Sequence, residues 1–510
     1  MRSASEREGV AAHIGGDRQQ LGHGHLENVL AGTLLNAGRR TPDKVAIDAA
    51  AGPTTFGELD NLSAQFAHAL VDRGVTRGDR VAVQLVKRPE VVALNIACAR
   101  LGAIYVPLNS SYVDAEVGAL LDDVAPALLV REDPLVHSTP RVGGDELIRG
   151  ASRYPSAFVD APCDDATPAA ILFTSGTTGQ PKGVVLTHGN LSFGCRTLNE
   201  AWEMSASDVL VHVLPLFHVH GLFVAAYCGV SSGATLRFLD GFDVADVVTA
   251  LDGATVMMGV PTQYTRLLAD ERFTSEGVRS VRLFVSGSAP MLRRTHDDFL
   301  SRTGQRVLER YGMTETGMIT ANPLRGERRP ATVGPALPGV EVRVNGSPGE
   351  VEVRGPNVFN QYWNRPGLRE SDFTPDGFFR TGDVGMLDRD GYLELVGRSR
   401  DLIISGGLNV YPKELEQLID ELPGVLESAV VGVPDDDFGE CVTVVLVARP
   451  GEVLDVDDLR RRCRSVLAPF KIPKHFVVLD ELPRNAMGKV EKARLRRDIV
   501  GVVASRPRHH

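Results

Sequence analysis

The sequence predicts an α/β fold with largely parallel sheets, because short apolar runs alternate with longer amphipathic segments through most of the chain. The runs have the length of buried strands, and the segments between them repeat apolar residues at helical spacing. The predicted strands include Val81–Val86, Ala169–Phe173, Val209–Leu214 and Val281–Val285, and the predicted helices include Glu58–Arg73 and Glu90–Leu101. Beyond about residue 335, short β-like pieces between turns rich in Gly, Pro, Asp and Asn predict a smaller β-rich subdomain.

A separate α+β domain is predicted for residues 400–510. Its elements are helix Tyr411–Leu422, strands Val425–Val433 and Cys441–Val447, helix Val456–Leu467 and strand His475–Val478. Residues 26–399 then form the N-terminal domain, and residues 1–25, which are polar and Gly-rich, are interpreted as a flexible tail. The boundary at Ser399–Arg400 lacks a Pro/Ser-rich linker, so we expect a hinge of few residues that permits rigid-body motion.

The composition is that of a globular enzyme and argues against two kinds of partner. The net charge is -10 and no Lys/Arg block stands out, so a nucleic-acid partner is not expected. The most apolar stretch, Val209–Val230, is interrupted by Pro215 and three histidines, so a membrane span is not expected either. The 6 cysteines form no CxxC pair. They are interpreted as thiols of a reducing compartment, and we expect a cytoplasmic protein.

The strongest local motif is a loop rich in Gly and hydroxyl residues between strands Ala169–Phe173 and Val184–Leu186. Its backbone N–H groups and hydroxyls can surround an anion, and Lys182 adds a point charge. It is not a Walker A loop, because the GK[ST] ending is missing and a strand follows instead of a helix. The positions expected to contact phosphate are Thr174, Ser175, Gly176, Thr177, Thr178 and Lys182.

A second motif, Glu309–Thr316, follows a predicted strand at Gln305–Leu308. It brings an aromatic residue, a hydroxyl and a carboxylate to one strand end. Tyr311 can stack on a base and Thr314 can bond to a phosphate. Glu315 supplies the kind of oxygen ligand that Mg²⁺ prefers.

Three further motifs are each also compatible with an ordinary turn. In Arg380–Asp383 the carboxylate can accept hydrogen bonds from both ribose hydroxyls. The others are Gly397–Asp401, at the predicted domain boundary, and Pro483–Lys489, a C-terminal turn that presents a lysine.

Together, and in this order, these motifs resemble the adenylate-forming superfamily of acyl-CoA synthetases, peptide-synthetase adenylation domains and firefly luciferase. The resemblance covers about residues 28 to 500. It implies two αβ subdomains and a β-barrel-like subdomain, followed by a mobile α+β C-terminal domain. It also implies ATP, Mg²⁺ and coenzyme A as cofactors and cosubstrates. The implied reaction joins a carboxylic acid to AMP and then transfers the acyl group to CoA.

The resemblance assigns roles to particular residues. Nucleotide binding is implied for Thr174–Thr178, Lys182, Ser288, Ala289, Pro290, Tyr311, Gly312, Met313, Thr314, Asp383 and Arg398. Catalytic roles are implied for Lys489, Glu315, Thr174 and His218, with Glu315 as the Mg²⁺ ligand and Lys489 reaching the acyl-adenylate. His218 and Ser286 are placed beside the acyl group, Arg400 at the hinge, and Gly406–Asn409 in a loop that enters the site for thioester formation.

Two arginines indicate a dicarboxylic acid. Thr262 and Arg266 share a helix face, and Arg310 directly precedes Tyr311. In an acyl pocket these cations would clamp a second carboxylate and would disfavour fatty chains. The alternative is that each arginine lies on the surface or pairs with a local carboxylate such as Glu309.

The segments around both arginines, with the run Leu214–Leu222, resemble malonyl-CoA synthetases, which implies malonate or methylmalonate as the acid. The alternatives are a short- or medium-chain fatty acyl ligase, an adenylating enzyme that loads a carrier protein, and a non-catalytic nucleotide sensor.

Overall fold

The structure of the chain is a computed structural model that describes residues 28–174, 181–365, 367, 371–405, 408–435, 438–485 and 488–504. The helices are α1 Val29–Arg39, α2 Phe56–Asp72, α3 Pro89–Leu101, α4 Asp114–Val124, α5 Gly144–Ala151, α6 His188–Ala201, α7 Tyr227–Ser232, α8 Val244–Ala250, α9 Pro261–Leu268, α10 Arg293–Thr303, α11 Pro412–Asp420, α12 Val456–Val466 and α13 Lys492–Ala504. Short 3₁₀ turns lie at Ser399–Asp401 and Pro469–Lys471, and a π-helix lies at His220–Ala226.

The strands are, in chain order, β1 Val45–Ala49, β2 Gly52–Thr55, β3 Arg80–Gln84, β4 Ile104–Pro107, β5 Leu128–Arg131, β6 Arg141–Val142, β7 Pro168–Thr174, β8 Lys182–Thr187, β9 Val209–His212, β10 Thr235–Phe238, β11 Val256–Gly259, β12 Leu283–Ser286, β13 Leu308–Met313, β14 Gly317–Ala321, β15 Glu341–Gly346, β16 Gly349–Arg354, β17 Gln361–Tyr362, β18 Phe379–Leu387, β19 Leu393–Arg398, β20 Ile403–Ser405, β21 Leu408–Val410, β22 Val425–Asp435, β23 Gly439–Ala448 and β24 His475–Leu479.

Two large sheets form the α/β part of the molecule and confirm the predicted fold class. Their strand orders are β14-β13-β12-β11-β9-β10-β1-β2 and β17-β8-β7-β4-β3-β5-β6. The inner pairs of the first sheet, from β1/β10 through β12/β13, are parallel, and its edge pairs are antiparallel. Strands buried on both faces, such as Leu283–Ser286, are apolar almost throughout, which is why they are recognisable in the sequence.

The third N-terminal sheet has the order β15-β16-β18-β19 and is antiparallel throughout. Among the described residues its four strands form the small β-rich part that was expected after about residue 335. The motif Arg380–Asp383 lies inside strand β18, not in a tight turn, with Gly382 at φ 69°. The predicted strand Gln305–Leu308 is also displaced: β13 runs from Leu308 to Met313 and contains the motif that was expected to follow it.

The C-terminal domain has its own core. One large hydrophobic cluster ends at Leu393, and two others join residues between Ile403 and Ile499. The domain touches the N-terminal part where the Lys413 ammonium, at the start of α11, donates a hydrogen bond to the Leu395 carbonyl on β19. In the part of the chain that the structure describes, none of the helices combines the length and the apolar character needed to cross a membrane.

Candidate active site

The candidate site lies at the carboxyl edge of the first parallel sheet, where open α/β sheets bind ligands. Strands β11 and β12 end beside the first residues of β13: Gly259 pairs with Ser286, and Ser286 pairs with Glu309. Arg310 follows at the next position of β13. A single sheet edge therefore brings together two of the residues predicted to bind the acid, Ser286 and Arg310.

Arg310 is a buried cation with unused hydrogen-bond donors. Its side chain is 4% exposed, and among the described residues nothing accepts a hydrogen bond from its Nε or Nη2. Burial lowers its pKa to about 10, so the guanidinium remains charged at neutral pH. A Cβ atom added to Gly287 would lie 2.4 Å from Arg310 Cζ, so the guanidinium packs directly against the Gly287 backbone.

Glu309 is not the counterion of Arg310. Its carboxylate oxygens accept hydrogen bonds from the Met291 N–H at 2.9 Å and contact His296 Nε2 at 2.9 Å. Because neighbouring side chains on a strand point to opposite faces, Glu309 and Arg310 lie on different sides of the sheet. The local ion pair considered from the sequence is therefore wrong.

Two other buried polar atoms at this sheet edge are also unsatisfied among the described residues. The hydroxyl of Ser286 is fully buried without a hydrogen-bond partner, and so is Nε2 of His220. The other ring nitrogen of His220 lies 3.3 Å from the Ser288 hydroxyl. Burial, and then repulsion from Arg310, lowers the His220 pKa well below its usual value, so this imidazole is neutral. His220 was not assigned from the sequence, although it lies in the same run as His218.

The two predicted arginines have different environments. Arg266 is exposed on helix α9, which turns Tyr264 and Leu267 toward the core. The Tyr264 hydroxyl donates to the Val285 carbonyl at 2.7 Å, which holds α9 against β12. The desolvation argument made from the sequence therefore applies to Arg310 and not to Arg266, because Arg266 keeps its hydration.

His218 lies at the start of the segment that leads into the π-helix, and it is partly buried. Burial lowers its pKa to about 4, so its imidazole is also neutral at physiological pH. A neutral imidazole can contact an acyl group without compensating the charge of Arg310. π-Helices are frequent at functional sites, and this one aligns His220 with the sheet edge.

The residues predicted to hold the ribose form a closed network. Tyr311 donates its hydroxyl hydrogen to Asp383 Oδ2 at 2.5 Å, and Arg398 Nε lies 2.9 Å from Asp383 Oδ1. Asp383 and Arg398 face each other across strands β18 and β19. The backbone N–H of Asp383 donates to the Thr381 hydroxyl at 3.0 Å, which fixes the strand at this point. This arrangement presents a carboxylate and a cation on one surface, beside an aromatic ring.

A second group of side chains, Tyr362 and Lys182, lies around Glu315, the residue predicted to bind Mg²⁺. Its carboxyl group is 8% exposed and accepts a hydrogen bond from the Tyr362 hydroxyl at 3.4 Å. The Lys182 ammonium lies 5.1 Å from the centroid of the Tyr362 ring, within cation–π range. Burial raises the Glu315 pKa. A cation beside this carboxylate would favour its ionised form, which is the form that binds Mg²⁺. Tyr362 gave no signal in the sequence.

The remaining predicted nucleotide contacts are only partly described. Thr174 ends strand β7 opposite Lys182, and its hydroxyl lies 3.5 Å from the Lys182 carbonyl. Ser175, Gly176, Thr177 and Thr178 lie outside the described residues, as do Gly406 and Gly407. Ser288 has φ 70°, a left-handed conformation, and it is followed by half-buried Ala289 and exposed Pro290. Half-buried Gly312, Met313 and Thr314 continue from Tyr311.

Lys489 belongs to the C-terminal domain and lies near Asp383 and Arg398. The preceding Gly488 approaches the first turn of α9, where an added Cβ would lie 3.1 Å from the Thr262 hydroxyl. Lys489 is exposed, but desolvation by the surrounding protein, followed by repulsion from Arg398, lowers its pKa to about 8. Asp383 opposes that shift and Arg400 adds to it. The lysine thus lies within electrostatic range of the ribose-side network.

Comparison with known proteins identifies the family to which the chain belongs. The family profile "AMP-binding enzyme" matches residues 34–363, and "AMP-binding enzyme C-terminal domain" matches residues 414–489. The chain belongs to this family of adenylate-forming enzymes and is an AMP-forming acid–thiol ligase.

Several individual proteins are similar to this chain over most of their length. The chain is 34% identical to a malonate–CoA ligase of Arabidopsis thaliana, over 90% of this chain and 86% of that protein. It is 36% identical to an indoleacetate–CoA ligase of Aromatoleum aromaticum, over 88% and 94% respectively. The crystal structure of ATP-bound MatB from Rhodopseudomonas palustris superposes with a TM-score of 0.89 at 43% identity, covering 92% of this chain and 99% of MatB.

The pKa of Lys489 predicts a pH dependence. A lysine with a pKa of about 8 is charged below that pH and neutral above it, so kcat/KM for ATP in adenylate formation should fall as the pH rises through about 8. The measurement is pyrophosphate release without CoA, because the thiol would otherwise titrate in the same range. Lys489→Arg keeps its charge and should lose this alkaline limb. If kcat/KM of the Lys489→Arg variant still falls at the same alkaline pH, the titrating group is not Lys489.

Proposed function

We propose that this enzyme joins malonate to CoA with ATP, through a malonyl-adenylate, releasing AMP and pyrophosphate. The observation that carries the choice of acid is the buried guanidinium of Arg310, whose Nε and Nη2 have no acceptor among the described residues. Methylmalonate, which adds one methyl group, is a plausible second substrate of the same pocket. A relative named for indoleacetate is as similar in sequence as one named for malonate, so overall identity does not choose between these acids.

The physical case for a diacid begins with the cost of burying a charge. A buried cation without a counterion is unfavourable, and the pocket contains free donors where a carboxylate would be stabilised. Arg310 offers the N–H groups of Nε and Nη2, which have no acceptor among the described residues. A planar guanidinium suits bidentate binding of a carboxylate. An alkyl chain in this place would leave Arg310 uncompensated, which disfavours the fatty acyl alternative.

Malonate meets this requirement because its second carboxylate remains charged after the first has reacted. The first carboxylate attacks the α-phosphate of ATP, and pyrophosphate leaves. Arg310 would hold the distal carboxylate, and the neutral imidazoles of His218 and His220 would border the acyl group without adding charge. The reacting carboxylate would thereby be fixed in position, which lowers the entropic part of the barrier.

The nucleotide would be held by residues on three strands, on the turn after β13 and on the C-terminal turn. Asp383 would exchange its hydrogen bond from Tyr311 for the ribose hydroxyls, with Arg398 nearby. Lys182 and Lys489 would neutralise charge on the phosphates as the bond to pyrophosphate breaks. Glu315 would hold Mg²⁺, which would neutralise phosphate charge. Among the described residues no cluster of three or more His, Cys, Asp or Glu side chains could hold a metal, so phosphate oxygens and water would supply the remaining ligands.

Thioester formation requires a second arrangement of the same site. We propose that residues 26–399 and 400–510 move as two bodies about Arg400, which lies in the 3₁₀ turn Ser399–Asp401. This rotation would remove Lys489 and bring in the loop that ends in exposed Leu408 and Asn409. CoA would then attack the adenylate and release AMP. All six cysteines are free and buried, which supports a reducing, cytoplasmic setting.

The choice of acid can be tested by comparing the two arginines. Arg310→Met removes the cation but keeps much of the volume, and it should lower kcat/KM for malonate by about 30- to 5000-fold, since losing one partner of a buried charge pair costs about 2–5 kcal/mol. Butyrate should lose much less activity or gain some, because the charge that excludes it is gone. Arg266→Met is the matched control, and malonate kinetics should change little because Arg266 is exposed.

The ligand-free protein offers an independent check. An unpaired buried cation does not stabilise the fold, so the unfolding temperature of Arg310→Met without ligands should equal or exceed that of the wild type. A parallel loss of malonate and butyrate activity, or a marked loss of stability, would give Arg310 a structural role and remove the basis for a diacid.

The hinge can be tested with Arg400→Pro. Proline fixes φ near −65°, a value that a 3₁₀ turn tolerates, so the substitution should hold the orientation in which Lys489 faces the nucleotide side. Adenylate formation should persist, while thioester formation from preformed malonyl-adenylate should fail. Arg400→Ala removes the side chain without fixing φ and should run both half-reactions. Wild-type rates of both steps in the proline variant would place the hinge elsewhere.

A further inference from the structure

Arg484 ties the turn that carries Lys489 to the body of the C-terminal domain. Arg484 Nη1 donates a hydrogen bond to the Gly488 carbonyl at 2.5 Å, and Arg484 Nη2 pairs with the Glu427 carboxylate on strand β22. One planar guanidinium therefore connects the peptide group next to Lys489 with the central hairpin of the domain. No other role in the proposed reaction uses Arg484.

The turn is also closed by its own hydrogen bonds. The N–H of Asn485 donates to the Lys489 carbonyl at 2.9 Å, and the N–H of Lys489 donates to Asn485 Oδ1 at 3.0 Å. The N–H of Gly488 donates to the Asn485 carbonyl at 2.8 Å, and Gly488 has φ 71°. These bonds shape the turn, but they do not connect it to the rest of the domain. Arg484 and Glu427 supply such a connection, and Thr262 meets the turn from the other side of the cleft.

A lysine side chain has four rotatable bonds, so the position of its ammonium depends on where its backbone is held. An error of about 1 Å in a catalytic group can cost about 100-fold in rate. Glu427 is half-buried, and burial raises its pKa while Arg484 opposes that shift. The two charges therefore support each other away from bulk water, where such a pair is screened less than on the surface.

We propose that Arg484, braced by Glu427, is a positioning residue that sets the reach of Lys489 into the cleft during adenylate formation. The proposal rests on the role of Lys489 given above. It assigns Arg484 no contact with substrate and no function in thioester formation, when Lys489 has left the site.

The experiment measures the two half-reactions in Arg484→Met, Arg484→Lys and a control. Arg484→Met removes both connections and should slow malonate-dependent pyrophosphate release by about 10- to 100-fold. Thioester formation from preformed malonyl-adenylate and CoA should stay within about twofold of wild type, the range expected when no catalytic contact is lost. Arg484→Lys keeps the charge but cannot span both acceptors, so it should recover part of the first rate.

The matched control is Arg462→Met. Arg462 pairs with Asp458 at 2.6 Å on the exposed face of helix α12, in the same domain, and its loss should leave both half-reactions unchanged. Equal losses in both half-reactions of Arg484→Met would mean that the arginine only supports the fold, and the proposal would be withdrawn.

The pH profile and a double variant separate positioning from general stability. In Arg484→Met the lysine should be less confined near Arg398, so the alkaline limb of adenylate formation should move upward toward the ordinary lysine range. In a Lys489→Ala background, Arg484→Met should add little further loss to the residual pyrophosphate release. Two results together would overturn the proposal. The first is an unchanged alkaline pH at which adenylate formation falls in Arg484→Met, and the second is a double variant whose rate loss equals the sum of the two single losses in free energy. If Lys489→Ala itself leaves adenylate formation intact, the role of Lys489 fails first, and Arg484 can no longer act through it.

Discussion

Under the proposed function, the acyl side of this enzyme depends on one interaction, that of the buried Arg310 guanidinium with the acid. Arg310 lies on β13 just beyond the point where parallel pairing with β12 stops, it is buried, and among the described residues no carboxylate pairs with it. A charged side chain is tolerated there because the apolar interior of the parallel sheet has already ended. The sheet supplies a rigid edge, and under the proposed function the unused N–H groups of Arg310 at that edge select the acid that is stabilised there.

The nucleotide side follows a different principle. Tyr311, Asp383 and Arg398 satisfy one another without ligand, so binding a ribose means exchanging existing hydrogen bonds rather than completing missing ones. Such exchange contributes less net affinity than filling an unsatisfied site. Under the proposed function, affinity for the nucleotide then depends more on its phosphates, where Lys182 and Lys489 would contribute charge. The ribose is therefore expected to gain less free energy on binding at Asp383 than the carboxylate of the acid gains at Arg310.

Much of the fold could be predicted from sequence because the core strands are continuous apolar runs. Strand β18 was not predicted because Thr381 and Asp383 are buried but polar, so the strand lacks an apolar pattern.

Nothing in the sequence distinguishes Arg266 from Arg310, because each is a cation beside a motif. In the structure Arg310 is buried and Arg266 is exposed. The apolar stripe of helix α9, Tyr264 and Leu267, directs Arg266 to solvent, and only the packing of α9 against the sheet shows this. Tyr362 reaches Glu315 from a distant strand, and no local pattern encodes that contact.

The close approach of Arg310 to Gly287 has a consequence for how such enzymes diverge. The guanidinium occupies the volume that any side chain at position 287 would need. A larger residue at 287 would displace the arginine, and a smaller residue at 310 would leave a void above the glycine. The two positions therefore share one volume, and a lineage that exchanges its diacid for an apolar acid must change them together. We expect these positions to covary, with glycine accompanying arginine and bulkier residues accompanying its loss.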